Sequence, residues 1–431
     1  MNLELTNPFA QSFPETIDCS LDSYASIVKF NSGGLFAGHF IAVGRSDGCI
    51  SIIDFETKGT IKFFEGHVKA ITSICWSKNG RYLLSASKDW NVIIWDVETG
   101  ERRDAVRCDA PVTNAQFHPR NSKVLVATLQ NQADAMLIDL RKQRGGRWLL
   151  EAEQEDDMDT TDDQAPKKAP RRRNAATAVT FNTTGELIFV GTSQGSLHIY
   201  ETATRQLLHT EIVSPNSALR GLRFDKRGAS LVVNSGDRCV RIYAMDAQDG
   251  SMIMQHKFTD LISRTPWKDC AFSPDGDYVI GGADSSSSHN VYIWDVATGT
   301  LTKILEGPKD PLEAIDWHPL KPIVISASSL GLIHVWVTST TESWSAYAPG
   351  FEELQENVEY QEAEDEFDIE DETIVKQRKQ DEQDFPVDAF TIDRPATPPL
   401  DDYADESPDE DAFEFYPTVA GPGRGRLEEL V

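Results

Sequence analysis

The sequence predicts an all-β fold: a seven-bladed β-propeller, with a charged insert between repeats three and four and a long acidic, largely disordered C-terminal tail. Three observations carry that expectation. A unit recurs seven times, closing at Asp54, Asp96, Asp139, Tyr200, Tyr243, Asp295 and Trp336, with spacings of 42, 43, 61, 43, 52 and 41 residues. Each unit has the same make-up: an aromatic, a turn of Gly, Pro, Asp or Asn, an apolar strand, a small-residue turn and a second apolar strand. Short alternating strands repeated every 40–45 or so residues are the mark of four-stranded blades set around an axis. Lastly, the charge is divided. From Phe351 onward 27 Asp/Glu face 6 Lys/Arg, whereas the first 350 residues hold 42 against 35, so the acidity belongs to the tail and the body is near balance.

Taken in order, residues 1–23 are an N-terminal segment expected to close the ring. The last repeat ends soon after Trp336 with little chain left for a fourth strand, and Met1–Leu5 (MNLEL) is the candidate to supply it. The propeller is placed at 24–340, its units opening on Phe30, Trp76, Phe117, Phe181, Phe224, Phe272 and Trp317. The 61-residue spacing is explained by the insert 141–174, where eight acidic residues precede five basic ones with almost nothing apolar, the composition of a disordered loop. Its Lys167, Lys168 and Arg171–Arg173 read as a nuclear-import signal or phosphate-binding arm, or else as a solvated loop whose halves neutralise each other. The 52-residue spacing reflects a longer joint between Ala244 and Thr265. Residues 341–372 mix aromatics, Leu and Ile with dense acid and sustain no helix or strand period, which suits a docking peptide. Residues 373–431 are an acidic, Pro-rich tail with a second, shorter docking motif at 381–393.

Several function classes are disfavoured. The six cysteines are scattered without a CxxC or His/Cys cluster, which argues against zinc and against a disulfide framework. No secretory leader and no run of about 18 apolar residues is present, so the chain is expected to be soluble and intracellular, with no membrane role. No glycine-rich phosphate loop, metal-ligand spacing or nucleophile motif appears, so no catalytic residue, metal or cofactor is expected. Net acidity opposes bulk nucleic-acid binding and leaves local basic faces open.

The clearest unit carries Gly66-His67, Ser85, Asp89 and Trp95-Asp96. This resembles a WD40 repeat, in which His, Ser, Asp and Trp of one blade form a hydrogen-bonded set between its strands. His67, Ser85 and Asp89 also have the composition of a catalytic triad, but the strut reading accounts for them with Trp95 included. The other units lack the His, so the set is expected to stiffen one or two blades only.

Three stretches depart from generic repeats: MNLEL at the start, SRTPWKDCAFSPDGDYVIGG (263–282) and ESWSAYAPGFEELQENVEYQEAEDEFDIEDE (342–372). Together with the blade order they resemble the retinoblastoma-binding protein 5 family, the propeller subunit of COMPASS/MLL-type histone H3 lysine 4 methyltransferases. The resemblance covers residues 1 to about 372 and implies a nuclear, non-catalytic scaffold that activates the enzyme. In its terms Phe351, Glu353 and Leu354 face the SET domain of the catalytic subunit, with the two apolar side chains as anchors. Tyr360, Glu362, Glu364, Phe367, Asp368 and Ile369 bind a SPRY-domain subunit, the acids suiting an Arg-lined surface. Val387 and Asp388 bind a second WD-repeat propeller subunit. On the body, Arg238 falls in a turn within a blade, and Arg264 and Lys309 fall in connections between blades. Such loops emerge on one face, so the three are expected to form a basic patch for nucleosomal phosphates, or to be unrelated surface charges diluted by Asp237 and Asp310. The competing reading is a generic WD40 adaptor, such as a ubiquitin-ligase substrate receptor, with the tail as a solubilising extension.

Overall fold

The computed structural model describes residues 12–141, 146–151, 174–245, 250–260 and 264–338, and helical Thr373, Lys376, Gln377 and Gln380. The first five stretches form twenty-eight strands in seven four-stranded antiparallel sheets. Six sheets follow chain order: 25–64, 71–107, 112–150, 176–212, 219–258 and 267–306. The seventh contains strands Leu312–Trp317, Val324–Ser328 and Leu332–Val337, with Thr16–Asp22 as its outer strand.

That outer strand closes the ring. Thr16 pairs with Val337 and Asp22 with Leu332, antiparallel, so the first described strand completes the last blade and covers the edge of Leu332–Val337. The strand lies downstream of the MNLEL assigned to this role, and Met1–Leu5 is outside the described residues. The sequence TIDCSLD explains the choice, because it alternates and turns Ile17, Cys19 and Leu21 toward the core.

A second correction concerns the insert. Gly146–Leu150 (GRWLL) is the outer strand of the third blade, pairing with Ala135–Asp139, so 141–174 is not a loop throughout. Its Trp148 and Leu150 pack into the core between blades three and four, while Leu149 faces outward. The remainder, 152–173, lies outside the described residues, as do the tail motifs.

Burial falls from axis to rim. Second strands such as Val124–Leu129 are buried at every position, which requires near-continuous apolar sequence. Outer strands such as Leu207–Ile212 are largely exposed. The aromatic that opens each repeat ends the inner strand and packs between blades. Phe30, Trp76, Phe117, Phe181, Phe272 and Trp317 are buried, each worth about 1.5–3 kcal/mol of transfer free energy, and Phe224 is half-buried. Every inner strand carries one register shift near its start, for example between Ala25 and Ile27, and such bulges increase local twist.

The turn between second and third strands takes a left-handed residue in six of the seven blades, the sixth blade being the exception. Gly48, Gly195 and Gly331 occupy it at φ 94°, 87° and 91°. A Cβ on Gly195 would lie 1.6 Å from the Ser214 carbonyl oxygen. Trp90 and Arg238 hold the same turn position at φ 74° and 67°.

Candidate interaction surfaces

His67, Ser85, Asp89 and Trp95 form one connected set. The His67 Nδ1–H donates to Asp89 Oδ2 at 2.9 Å, because a carboxylate can only accept, and this leaves Nε2 as the acceptor. Ser85 Oγ–H donates to that Nε2 at 2.8 Å, and Trp95 Nε1–H donates to Ser85 Oγ at 2.8 Å. Burial pushes the His67 pKa down against the pull of Asp89, so the ring is neutral. Ser85 is 0 % exposed with the Trp95 indole on its hydroxyl, which leaves no approach for a substrate.

The last blade repeats part of this set in a way the sequence reading missed. Ser326 and Trp336 share the ten-residue spacing of Ser85 and Trp95, and the indole again donates to the hydroxyl at 2.8 Å. The imidazole comes from His289, in a turn of the preceding blade, with Nε2 2.7 Å from Ser326 Oγ. Spacing within one repeat cannot reveal a partner donated by another.

Around the axis, inner strands of four blades share a charged network. Arg223 donates to Asp269 at 2.7 Å and to Asp316 at 2.8 Å, and Lys29 Nζ donates to Asp316 at 3.0 Å. Burial opposes the Asp316 charge, but Lys29 and Arg223 hold its carboxyl below the usual range. The network therefore links blades five, six, seven and one.

Arg238 and Arg264 are exposed and both have positive φ, 67° and 49°, while Lys309 is exposed in the connection at 307–311. Each blade runs from inner to outer strand, so turns of the Arg238 type and connections between blades emerge on one face. Contacts tie this sector together. Trp267 Nε1 donates to the Arg238 carbonyl at 3.0 Å, and Arg220 donates to the Trp267 carbonyl at 3.2 Å. Asp237 is engaged by Arg241 and Ser235, and its carboxyl is held far below the usual range against its desolvation. Its charge is thus largely compensated from within. Phe351, Glu353, Leu354, Tyr360, Glu362, Glu364, Phe367, Asp368, Ile369, Val387 and Asp388 lie outside the described residues.

Among the described residues no group of three or more His, Cys, Asp or Glu is placed to hold a metal, and no helix is long and apolar enough to cross a membrane. Burial pushes the Cys75 and Cys108 thiols up to about 11 and Cys270 up to about 12, which makes them poor nucleophiles.

Ring, strut and turns define a seven-bladed WD-repeat β-propeller. The family model described as WD domain, G-beta repeat matches residues 58–96 and 299–337, and the model of the nucleolar protein 10-like N-terminal propeller matches 83–298. The retinoblastoma-binding protein 5 homolog of Drosophila melanogaster is 36% identical, over 97% of this chain and 82% of its own length. The chain belongs to the retinoblastoma-binding protein 5 family, which includes Swd1. The Set1 complex component swd1 of Schizosaccharomyces pombe is 35% identical, over 86% of this chain and 91% of its own. COMPASS component SWD1 of Saccharomyces cerevisiae is 30% identical, over 91% and 93%. The crystal structure of the Myceliophteria thermophila Cps50 (Swd1) propeller superposes with a TM-score of 0.67 at 32% identity, covering 74% of this chain and 99% of that one.

Proposed function

We propose that this chain is a nuclear, non-catalytic scaffold and activator subunit of a COMPASS-type histone H3 lysine 4 methyltransferase. The observation that carries this is relatedness along most of the chain to proteins named as Set1 and COMPASS components. Those alignments take in 86% and 91% of the chain, and so reach beyond Val337, where the ring ends. A bare propeller would align with propellers of many unrelated assemblies.

In this reading the segment 341–372 bridges two partners. Phe351, Glu353 and Leu354 lie against the SET domain, and Tyr360 to Ile369 lie on a SPRY subunit, while Val387 and Asp388 engage a second propeller. A peptide held at both ends restricts the SET domain and raises the fraction of time its channel is arranged for methyl transfer. Arg238, Arg264 and Lys309 contact nucleosomal phosphates. Their common face and the left-handed backbone at both arginines support that role.

The test is a synthetic peptide spanning Ala346–Glu372 added to a weakly active SET–SPRY pair. Stimulation is expected, and Phe367→Ala in the peptide should weaken SPRY binding. A peptide that neither binds nor stimulates would remove the bridging role.

A further inference from the structure

The opposite face carries the corners that join first and second strands, at 31–39, 77–81, 118–123, 182–186, 225–229, 273–277 and 318–323. They hold seven Lys/Arg against four Asp/Glu, in a chain whose totals are 41 against 69. Of the four acids, Asp225 is buried and its pKa is raised by that burial. Two of these corners, in blades four and five, flank a cleft of about 90 Å³. Its floor is Leu187, Phe189, Phe224 and Met245, the two rings meeting edge to face with centroids 5.0 Å apart. Thr184 and Arg227 stand at its sides, and Lys226 and Arg227 are both exposed. Gly228, at φ 76°, lets the corners close in, since a Cβ there would come 2.2 Å from Thr183 Oγ1. An apolar floor thus sits beside Lys226 and Arg227, within a set of corners where basic residues outnumber acidic ones.

We propose that this cleft and its rim take an acidic peptide presenting one aliphatic or aromatic anchor. The anchor fills the gap over Phe224 and Met245, and flanking carboxylates pair with Lys226 and Arg227. An apolar anchor gives the affinity, and charge selects against basic sequences. The face is opposite to the one bearing Arg238 and Arg264, so both can be occupied together.

The experiment uses the full chain, labelled at its methionine methyls, and a short peptide of Asp and Glu around one Phe. The Met245 methyl should shift on titration. Lys226→Glu with Arg227→Glu should weaken binding by about tenfold or more without changing the thermal midpoint. Replacing the peptide's Phe by Ala should do the same. An unmoved Met245, equal binding by the Ala peptide, or an unaffected double variant would each overturn the proposal. So would a Met245 shift driven by protein concentration alone, which would assign the cleft to a second copy.

Discussion

Asp316, in the inner strand of the last blade, accepts the main-chain N–H of Phe30, in the first blade, at 2.9 Å. Its other oxygen takes Lys29 and Arg223. One carboxylate, 13% exposed, therefore joins the two blades that meet at the ring's closure and is shared by two cations. Asp316→Ala strands Lys29 and the Phe30 amide and leaves Arg223 with Asp269 alone, and is expected to cost about 3–5 kcal/mol in urea unfolding. Asp316→Asn keeps an acceptor for Phe30 and should cost less. Equal stability of the Ala variant would show that the network is dispensable.

Ser85→Ala makes a different test. It leaves the Trp95 N–H and the His67 Nε2 buried without partners, and a loss of about 2–4 kcal/mol is expected from two unsatisfied groups. The same denaturation midpoints measure it, and a change under about 0.5 kcal/mol, the range of ordinary surface substitutions, would mean the strut carries little.

Stability should fall on mild acidification. Burial pushes His289 and His318 down to about 4, and lowers His67, His118, His198 and His334. Above the unfolded value of about 6.5 both states are neutral and the histidines contribute nothing to the pH dependence. As pH falls from about 6.5 toward 4 the unfolded chain binds protons that the folded chain refuses. Each such proton costs about 1.4 kcal/mol per pH unit. His289→Gln should flatten the decline in midpoint over this window, and an unchanged slope would discount its share.

Much of this fold was legible because a propeller repeats its instructions. The aromatic ending each inner strand and the Gly/Asp turns recur often enough to count seven blades from sequence. What escaped was long-range or misattributed. GRWLL merges with the charged insert in sequence because acid follows it at once. Asp316 and Arg223 are 93 residues apart and His289 and Ser326 are 37 apart, so no period within a unit joins them. Leu3 and Leu5 make the first residues a candidate closing strand, whereas the alternation that closes the ring begins at Thr16.

The position of Arg238 allows stability and binding to be separated. Three blades place glycine at its turn, at φ of about 90°, whereas Arg238 holds 67° with a full side chain. A left-handed residue other than glycine costs about 1–2 kcal/mol, and glycine's greater freedom in the unfolded chain returns about 0.5–1 kcal/mol of that. Arg238→Gly should therefore leave the propeller as stable or more stable by about 1 kcal/mol. The Trp267 hydrogen bond goes to the main-chain carbonyl and should survive the change. If Arg238 contacts a phosphate, the same substitution should weaken nucleosome binding and reduce the slope of log affinity against log salt by about 0.9. A stabilised variant with lower affinity would show that the strain is retained for binding. A stabilised variant with unchanged affinity and slope would remove Arg238 from the nucleosome patch and leave the strained turn without a functional reason.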